Sequence, residues 1–397
     1  MRNTEEKRLQ RVVATVCATL FAVFTFLFVA VYQAPLLEAF YNKVATGKLN
    51  FNPYLVGVVV SLMLTGLALW LNRFTKFRRE WTALAYLPSS LLLAFITDID
   101  RSLYVDGRSY VGWWIIAIIG IMVYVTLSFF ASKLLFAKIK NVAMTTNKVL
   151  WSNFILFTLL ICLVGTLSNG EEHFKRETRV MSYYNKGEID KALNVGIKSD
   201  DASRELTVMR SYILASNGLL GEHLFEYPQY YAVNGLLPDA KRTSPLVPDS
   251  VYSLLGATPK KDEKPMEFLK RIAHEKAAPD VVKDYYLTAL LLEKRLREFY
   301  DEISALYGVP DRKERKLKYV DGLPKHYREA LQLYADVAVG PITYKVEDCD
   351  MSDRYEAFCA EEAQHSDAFV RGNYVRRFFG DTYWWYFRYS NSVPMFQ

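Results

Sequence analysis

The pattern of hydrophobic and charged positions divides the chain into two parts. The first part contains five windows without a charged residue, at 12–37, 49–72, 81–97, 109–132 and 149–170. A helix needs about 20 apolar residues to cross the hydrocarbon core of a membrane. The pattern therefore predicts a transmembrane domain over residues 1–170, a five-helix bundle with spans at about 12–35, 52–72, 81–97, 111–132 and 149–168.

The third window is the weakest of the five. It is short, and Pro88 interrupts it, followed by Ser89 and Ser90. A proline removes one helical hydrogen bond, although serine hydroxyls or neighbouring helices can replace it. A re-entrant hairpin is the alternative to a full crossing.

Basic residues on the connections predict the orientation. Lys and Arg number 4, 2, 4, 2 and 4 from the amino terminus through the four connections. The positive-inside rule assigns the basic sides to the cytoplasm. We therefore expect an integral membrane protein with a cytoplasmic amino terminus and with everything after residue 170 on the outer side of the membrane.

The net charge can be interpreted only when the two parts of the chain are counted separately. The chain has a net charge of +6, but residues 1–168 hold 16 Lys and Arg against 7 Asp and Glu. The excess of basic residues lies mostly at the predicted cytoplasmic ends of the spans. It predicts contact with a membrane and no nucleic-acid partner.

Residues 171–397 have the apolar period of water-soluble helices, and the whole chain is expected to be all-α. Gly187 and Gly218 form turns 31 residues apart, each between amphipathic segments. This spacing is close to the 34-residue tetratricopeptide period, so we predict a tetratricopeptide-like repeat domain, with ordinary helical hairpins as the alternative. Six of the 14 prolines fall in 228–265, which predicts an irregular connector.

Further helix pairs follow the connector. The apolar stripes predict a hairpin of 280–293 with 294–307 and a proline-initiated helix from 323. Stacked helix pairs form a concave groove that commonly holds another chain.

The motifs of this part carry a resemblance. They are the Leu291-Leu292-Glu293-Lys294 hairpin, LPKHYREALQLY at 323–334 and FGDTYWWYF at 379–387. Together with the spans and glycine turns, they resemble an uncharacterised family of polytopic inner-membrane proteins of Bacteroidota, generally larger and with a helical-repeat carboxyl end. The resemblance implies a location in the bacterial envelope and supplies no activity or site residue.

Two acidic residues are the weak catalytic candidates. Asp98 and Asp100 flank Ile99 at the outer end of the third predicted span. Paired carboxylates at a membrane surface can bind a divalent cation or act as a base in enzymes that use lipid-linked sugars. The alternative is a polar loop in which these acids balance Arg101 and Arg108.

The predicted periplasmic part contains two further candidate sites. Cys349 and Cys359 could form a disulfide in an oxidising compartment, or they could be free thiols. Glu361, Glu362 and His365 share one helical face, so Glu362 and His365 are weak metal candidates and solvated surface charges are the alternative. We expect no cofactor.

The aromatic carboxyl end is the candidate interaction region. Trp384 and Trp385 lie near Arg376 and Arg377 in a segment rich in tyrosine and phenylalanine. These residues could bind a protein partner or the outer leaflet, or the aromatic stripe could pack against the last helices.

The sequence as a whole favours an integral inner-membrane scaffold. Its periplasmic domain is expected to bind a protein partner in the bacterial envelope. An enzyme, or an enzyme subunit, acting on lipid-linked glycans through Asp98 and Asp100 is the alternative.

Overall fold

A computed structural model describes most of the chain. The described residues are 2–45, 51–75, 79–106, 118–124, 126, 146–168, 170–197, 202–239, 245–246, 248–307, 323–337 and 348–390. All regular structure in these ranges is helical, which agrees with the predicted all-α fold.

Two compact units divide the chain, Met1–Ser182 and Tyr183–Gln397. The α-helices of the first unit are α1 Arg2–Leu27, α2 Ala34–Val44, α3 Pro53–Thr75, α4 Leu87–Thr97, α5 Arg101–Asp106, α6 Thr146–Leu167 and α7 Glu172–Asn185, which runs past its end. The later helices are α8 Ile189–Asn194, α9 Arg204–Ser216, α10 Leu220–His223, α11 Pro248–Leu255, α12 Pro265–Ala273, α13 Asp280–Leu292, α14 Leu296–Tyr307, α15 Lys325–Val337, α16 Cys349–Ala363, α17 Ala368–Phe379 and α18 Tyr383–Tyr389.

Three helical stretches are long and apolar enough to cross a membrane. They are Gln10–Tyr32, Pro53–Arg73 and Thr146–Leu167. The first continues α1 through a π-helical turn, Phe28–Tyr32. These stretches coincide with the predicted first, second and fifth spans, so the chain has the character of a membrane protein.

Close packing joins the first two of these helices. A Cβ atom added at Gly57 of α3 would lie 2.8 Å from the Cβ atom of Ala30, so glycine permits the contact. Farther along α3, the Ser61 hydroxyl donates to the carbonyl oxygen of Ala22 at 2.8 Å. Higher residue numbers in α3 therefore meet lower numbers in α1, and the two helices run antiparallel. Small residues at such crossings allow the backbones of membrane helices to approach.

The third predicted span is not one long α-helix. A 3-10 helix, Arg79–Tyr86, leads into the 11-residue helix α4. Asn153 of α6 accepts a hydrogen bond from the backbone N–H of Ala83 at 2.9 Å, and Ser89 donates to the Leu64 carbonyl oxygen at 2.9 Å. The segment is divided because Pro88 lies in the first turn of α4 and the Asn153 side chain bonds the backbone N–H of Ala83 before it.

The fourth predicted span lies mostly outside the described residues. Residues 118–124 are helical. The Tyr124 hydroxyl donates to the carbonyl oxygen of Leu84 at 2.6 Å. This bond places residues 118–124 beside the 3-10 helix, within the first unit.

Short connections join the helices of the second unit. Gly187 and Gly218 have φ angles of +76° and +68°. A left-handed residue just after a helix end is favourable for glycine. Lys294 has a φ of +57° and turns α13 into α14, so turns are present at these three predicted positions.

Contacts between distant segments close the second unit. The Phe225 ring, after α10, lies 5.1 Å from the ring of His326 in α15 and 4.9 Å from that of Tyr386 in α18. In a strict solenoid each repeat contacts only its neighbours. These contacts bury an aromatic centre, which an open stack of hairpins lacks.

The proline-rich connector contains ordered elements. The segment forms a 3-10 helix, Ala232–Gly235, and the eight-residue helix α11. Val251 and Leu255 of α11 are buried. The prolines shorten the helices but still allow the segment to pack, because Pro248 and Pro265 each begin a helix where no N–H is required.

Candidate functional site

A partly buried ion cluster lies where the sequence predicts the outer membrane boundary. Arg101 at the start of α5 donates to Glu177 at 2.8 Å and to Glu171 at 3.0 Å. The side chain of Glu177 is fully buried, and the Arg101 guanidinium also lies 5.2 Å from the centre of the Phe174 ring. These interactions hold α7 against α5, so the chain that follows the last apolar helix is fixed to the first unit.

Two more contacts hold α7 in the same unit. The Lys175 ammonium group donates to the Tyr32 hydroxyl at 3.1 Å. The Ser182 hydroxyl donates to the Glu38 carboxylate at 2.6 Å. Because α7 packs here through Ser182, the compact unit extends 12 residues beyond the domain boundary expected at residue 170.

Asp98 and Asp100 stand beside this cluster, on the turn between α4 and α5. Asp98 is half-buried, and its burial, followed by the negative charge of Asp100, raises its pKa. Asp100 accepts a hydrogen bond from the Ser102 hydroxyl at 2.9 Å. Asp98 and Asp100 therefore belong to the turn that leads from α4 into α5. A raised carboxyl pKa is compatible with proton transfer.

An apolar groove of about 270 Å³ runs between α1 and α6. Val13, Cys17, Trp151 and Phe157 contribute to its walls, and Asn153 is a polar residue of the lining. The Asn153 amide is already bonded, because it accepts from Ala83 and donates to the Val149 carbonyl oxygen. The groove can therefore take an apolar group such as an acyl chain.

The second unit has a buried polar centre at Glu329. The carboxylate accepts from the Nδ1 atom of His326 at 2.8 Å and from the backbone N–H of Tyr383 at 2.8 Å. The backbone N–H of Phe225 donates to Nε2 of His326 at 3.3 Å, which assigns the proton to Nδ1. These bonds form one chain that joins the segment after α10 to α15 and α18.

A partly exposed ion network surrounds Asp381. Its carboxylate accepts from Arg354 at 2.8 Å and from Lys325 at 3.0 Å. Burial raises the pKa of Asp381, but these hydrogen bonds outweigh that effect and hold the pKa below its usual value. The network joins the loop before α18 to α15 and α16.

A third cluster gathers tyrosines around Asp284. The hydroxyls of Tyr307 and Tyr327 donate to its carboxylate, the latter at 3.1 Å. Burial raises the pKa of Asp284, and a Cβ at Gly221 would lie 2.8 Å from the Tyr327 ring. Sequence reasoning missed this cluster, since a lone aspartate and scattered tyrosines form no motif.

Trp384 and Trp385 do not form an exposed binding surface. Their exposed fractions are 0% and 4%. The indole N–H of Trp384 donates to the Glu329 carbonyl oxygen at 2.8 Å, and that of Trp385 donates to the Gly372 carbonyl oxygen at 2.9 Å. Their prediction as interaction residues is wrong, and the packing alternative is the one observed.

The two arginines in the same prediction are positioned differently. The Arg376 guanidinium lies 5.5 Å from the centre of the Trp385 ring. Arg377 is exposed and lies 5.3 Å from the centre of the Tyr374 ring. Arg377 therefore remains on the surface that a partner can reach.

Glu362 and His365 have separate contacts. Arg388 and Tyr389 both donate to the Glu362 carboxylate. His365 stacks on Tyr374 with ring centres 4.4 Å apart and lies 3.7 Å from Glu361. Within the described part of the chain, no group of three or more His, Cys, Asp or Glu side chains could hold a metal ion.

Cys349 and Cys359 belong to one helix. Ten residues in a continuous helix place them about 15 Å apart along its axis, whereas a disulfide requires Cα atoms within about 7 Å. The thiol of Cys359 is free. The proposed disulfide is therefore wrong for this structure, because the sequence did not reveal that α16 begins at Cys349.

Helix α17 presents an apolar surface that sequence reasoning did not single out. Its exposed side chains include Phe369, Val370, Tyr374 and Phe378, and Phe378 has an exposed fraction of 64%. Gly372, Val375 and Phe379 are buried on the opposite side. The signal was present in the sequence, since Val370, Tyr374 and Phe378 are spaced four residues apart.

Comparisons with known proteins add one family and no activity. No curated protein and no solved structure matches the chain. Residues 258–390, from the connector to α18, match the sequence model of a family of unknown function, DUF6057.

Proposed function

We propose that this protein is an integral scaffold of the bacterial inner membrane. Five crossings would put the second unit in the periplasm. There its helical hairpins, tetratricopeptide-like in their turns but closed by the aromatic centre around Phe225, bind a protein partner of the envelope. The anchoring of α7 is the observation that carries this proposal. The Arg101–Glu177 ion pair, in which the Glu177 side chain is fully buried, holds the helix that follows the last apolar helix within the first unit.

The relative directions of the apolar helices support the topology. Spans that cross in the same direction are expected to run parallel. The rings of Phe21 in α1 and Phe157 in α6 have centres 6.3 Å apart. Beyond these helices Lys175 donates to Tyr32, so higher residue numbers meet higher numbers along the two helices. α3 packs antiparallel to α1, as expected if α3 is the second span and crosses the membrane in the opposite direction.

The buried and partly buried polar groups of the second unit support a structural role. Glu329, His326, Asp381 and Glu362 are each bonded to groups from other segments of this unit. Such fully connected networks hold segments in one arrangement. A binding module needs this rigidity more than it needs free reactive groups.

In-cell crosslinking followed by affinity capture tests the scaffold. The full chain should recover one envelope protein in stoichiometric amount. A truncated chain ending at Ser182, which retains the first unit, should insert into the membrane and lose that protein. Recovery of no protein by the full chain, or equal recovery by both chains, would contradict the proposal.

The raised pKa of Asp98 keeps a second function open, an enzyme or enzyme subunit acting on lipid-linked glycans. The test is the double substitution Asp98→Asn and Asp100→Asn, compared with Asp106→Asn, in cells that lack the wild-type chain. A loss of envelope glycan specific to the double variant would support the enzyme. A wild-type phenotype would remove it.

A further inference from the structure

The exposed face of α17 is the largest concentration of exposed apolar side chains in the described part of the second unit. Large hydrophobic residues of that unit with substantial exposure are Ile197, Val337, Phe369, Val370, Tyr374 and Phe378. Four of these six belong to α17. Large apolar patches on a water-soluble surface commonly mark a docking site.

The charge of α17 has a single sign. Residues 368–379 contain Arg371, Arg376 and Arg377 and no acidic residue. The preceding helix, α16, has five acidic residues and one arginine. The basic charge is thus concentrated on the helix that exposes the apolar face, and it complements an anionic surface.

The face is held rigid from behind. The indole N–H of Trp385 donates to the carbonyl oxygen of Gly372 inside the unit, and the Phe379 ring packs edge-on against Phe358 with centres 5.6 Å apart. On the exposed side, Tyr374 is stacked between His365 and the guanidinium of Arg377. A rigid surface loses little conformational entropy on binding.

We propose that α17 is an interfacial helix that lies on an anionic phospholipid surface. Phe378, Tyr374 and Val370 insert among the lipid headgroups and upper acyl chains, and the exposed Arg377 contacts the phosphates, whereas Arg376 stays against the Trp385 ring. Interfacial helices combine basic residues with aromatic and aliphatic side chains in this way. Because three helices of the first unit are long and apolar enough to cross a membrane, a lipid surface is available to the protein.

A lipid surface suits this face better than a protein. The exposed aromatic rings alternate with arginines whose long apolar stems can extend along the membrane boundary. The face is also short and convex, since it belongs to a single 12-residue helix. A membrane can adapt to such a surface without a complementary groove.

Spin-label depth measurement on the full chain in bilayers tests this proposal. In a background without native cysteines, one variant carries a nitroxide at position 378 and a control carries it at position 337. Val337 is also apolar and exposed, at 52%, but it belongs to α15. In phosphatidylglycerol-containing bilayers, oxygen should reach the label at 378 more readily than a water-soluble nickel chelate does, and the reverse should hold at 337.

A charge comparison identifies the lipid component. Bilayers of phosphatidylcholine alone, or the substitution Arg377→Gln, should reduce the docked population. The expected reduction for Arg377→Gln is about five-fold. Arg376→Gln is the control, because Arg376 lies against the Trp385 ring and its loss should change the docked population little. An unchanged docked population with Arg377 replaced would overturn the electrostatic part of the proposal.

Three results would overturn the lipid surface itself. One is equal water accessibility of the labels at 378 and 337. Another is spin–spin broadening at 378 that disappears on dilution with unlabelled chain, since it would show a second copy on the face. The third is a protein adduct in cells from a photo-crosslinker at 378. The depth measurement requires no partner protein, so its failure is distinguishable from failure of the scaffold.

Discussion

The guanidinium of Arg101 lies 2.8 Å from the carboxylate of Glu177, a residue 76 positions later whose side chain is fully buried. Burial alone would disfavour both charges and would lower the pKa of Arg101. The hydrogen bonds to Glu177 and Glu171 outweigh this effect, so the pKa of Arg101 is raised. The pair joins α5 to α7 and fixes the start of the chain that follows the last apolar helix.

Removal of one partner of this pair should strongly destabilise the first unit. Arg101→Ala leaves Glu177 buried without its cation, and this kind of loss costs about 3 kcal/mol or more. Thermal unfolding of the detergent-solubilised full chain should show a clearly lower midpoint. The matched control is Glu172→Gln, which neutralises the exposed end of the ion pair with Arg176 and should cost less than about 1 kcal/mol. Equal midpoints for the two variants would contradict this role.

A glycine pair tests the packing of the apolar helices. Gly57→Ala should destabilise the contact of α3 with α1 by about 1–3 kcal/mol, because the added Cβ would lie 2.8 Å from Ala30. Gly66→Ala is the control on the same helix, since no atom lies within 4 Å of its added Cβ. Resistance to unfolding in denaturing detergent should fall for the first variant only. If Gly57→Ala and Gly66→Ala resisted denaturing detergent equally well, the two helices would not pack closely at Gly57.

Two aromatic substitutions distinguish packing from surface exposure in the second unit. Trp384→Ala should cost about 3–5 kcal/mol, because it empties a fully buried site and removes the hydrogen bond to the Glu329 carbonyl oxygen. Phe378→Ala should change the free energy of unfolding by less than about 0.5 kcal/mol. Protease resistance and chemical unfolding measure both. A larger loss from Phe378→Ala would mean that the α17 face is part of the core.

Acid should weaken the Asp381 network. Its pKa is lowered in the folded chain, so its stabilisation is present above the unfolded value of about 4 and is lost as pH falls through the folded value. At pH 7 the free energy of unfolding of the wild-type chain should be about 1 kcal/mol higher than that of Asp381→Asn, and this difference should shrink below pH 4. Unfolding midpoints measured at several pH values test this.

The control for pH is Glu298→Gln. Glu298 pairs with Arg295 on an exposed helix surface, where the ion pair contributes little. A difference between wild type and Asp381→Asn that stayed constant from pH 7 to pH 3 would contradict the assigned role of the carboxylate.

The long apolar helices and the glycine turns could be predicted from local sequence. Charge-free windows of sufficient length gave α1, α3 and α6, and Gly187 and Gly218 marked turns because few other residues tolerate a positive φ. The segment at 79–97 could not be predicted in detail. Its two-part helix depends on Asn153, which is 70 positions from its partner Ala83.

The site residues were predicted less well for the same reason. The aromatic segment was visible, but burial of Trp384 and Trp385 depends on α15 and α17, which sequence spacing alone does not bring together. The composition of the carboxyl end pointed to the tryptophans of α18, but the exposed apolar face belongs to α17, the helix before it. Cys349 and Cys359 were misjudged because spacing gives no Cα separation until the helix is known.

A topology reporter tests the proposed anchoring and presentation most directly. A reporter that is active only in the periplasm would be fused after Gln397, and a matched fusion would follow Lys148. Five crossings predict activity after Gln397 and none after Lys148. An inactive fusion after Gln397, with the protein intact in the membrane fraction, would contradict presentation of the second unit in the periplasm.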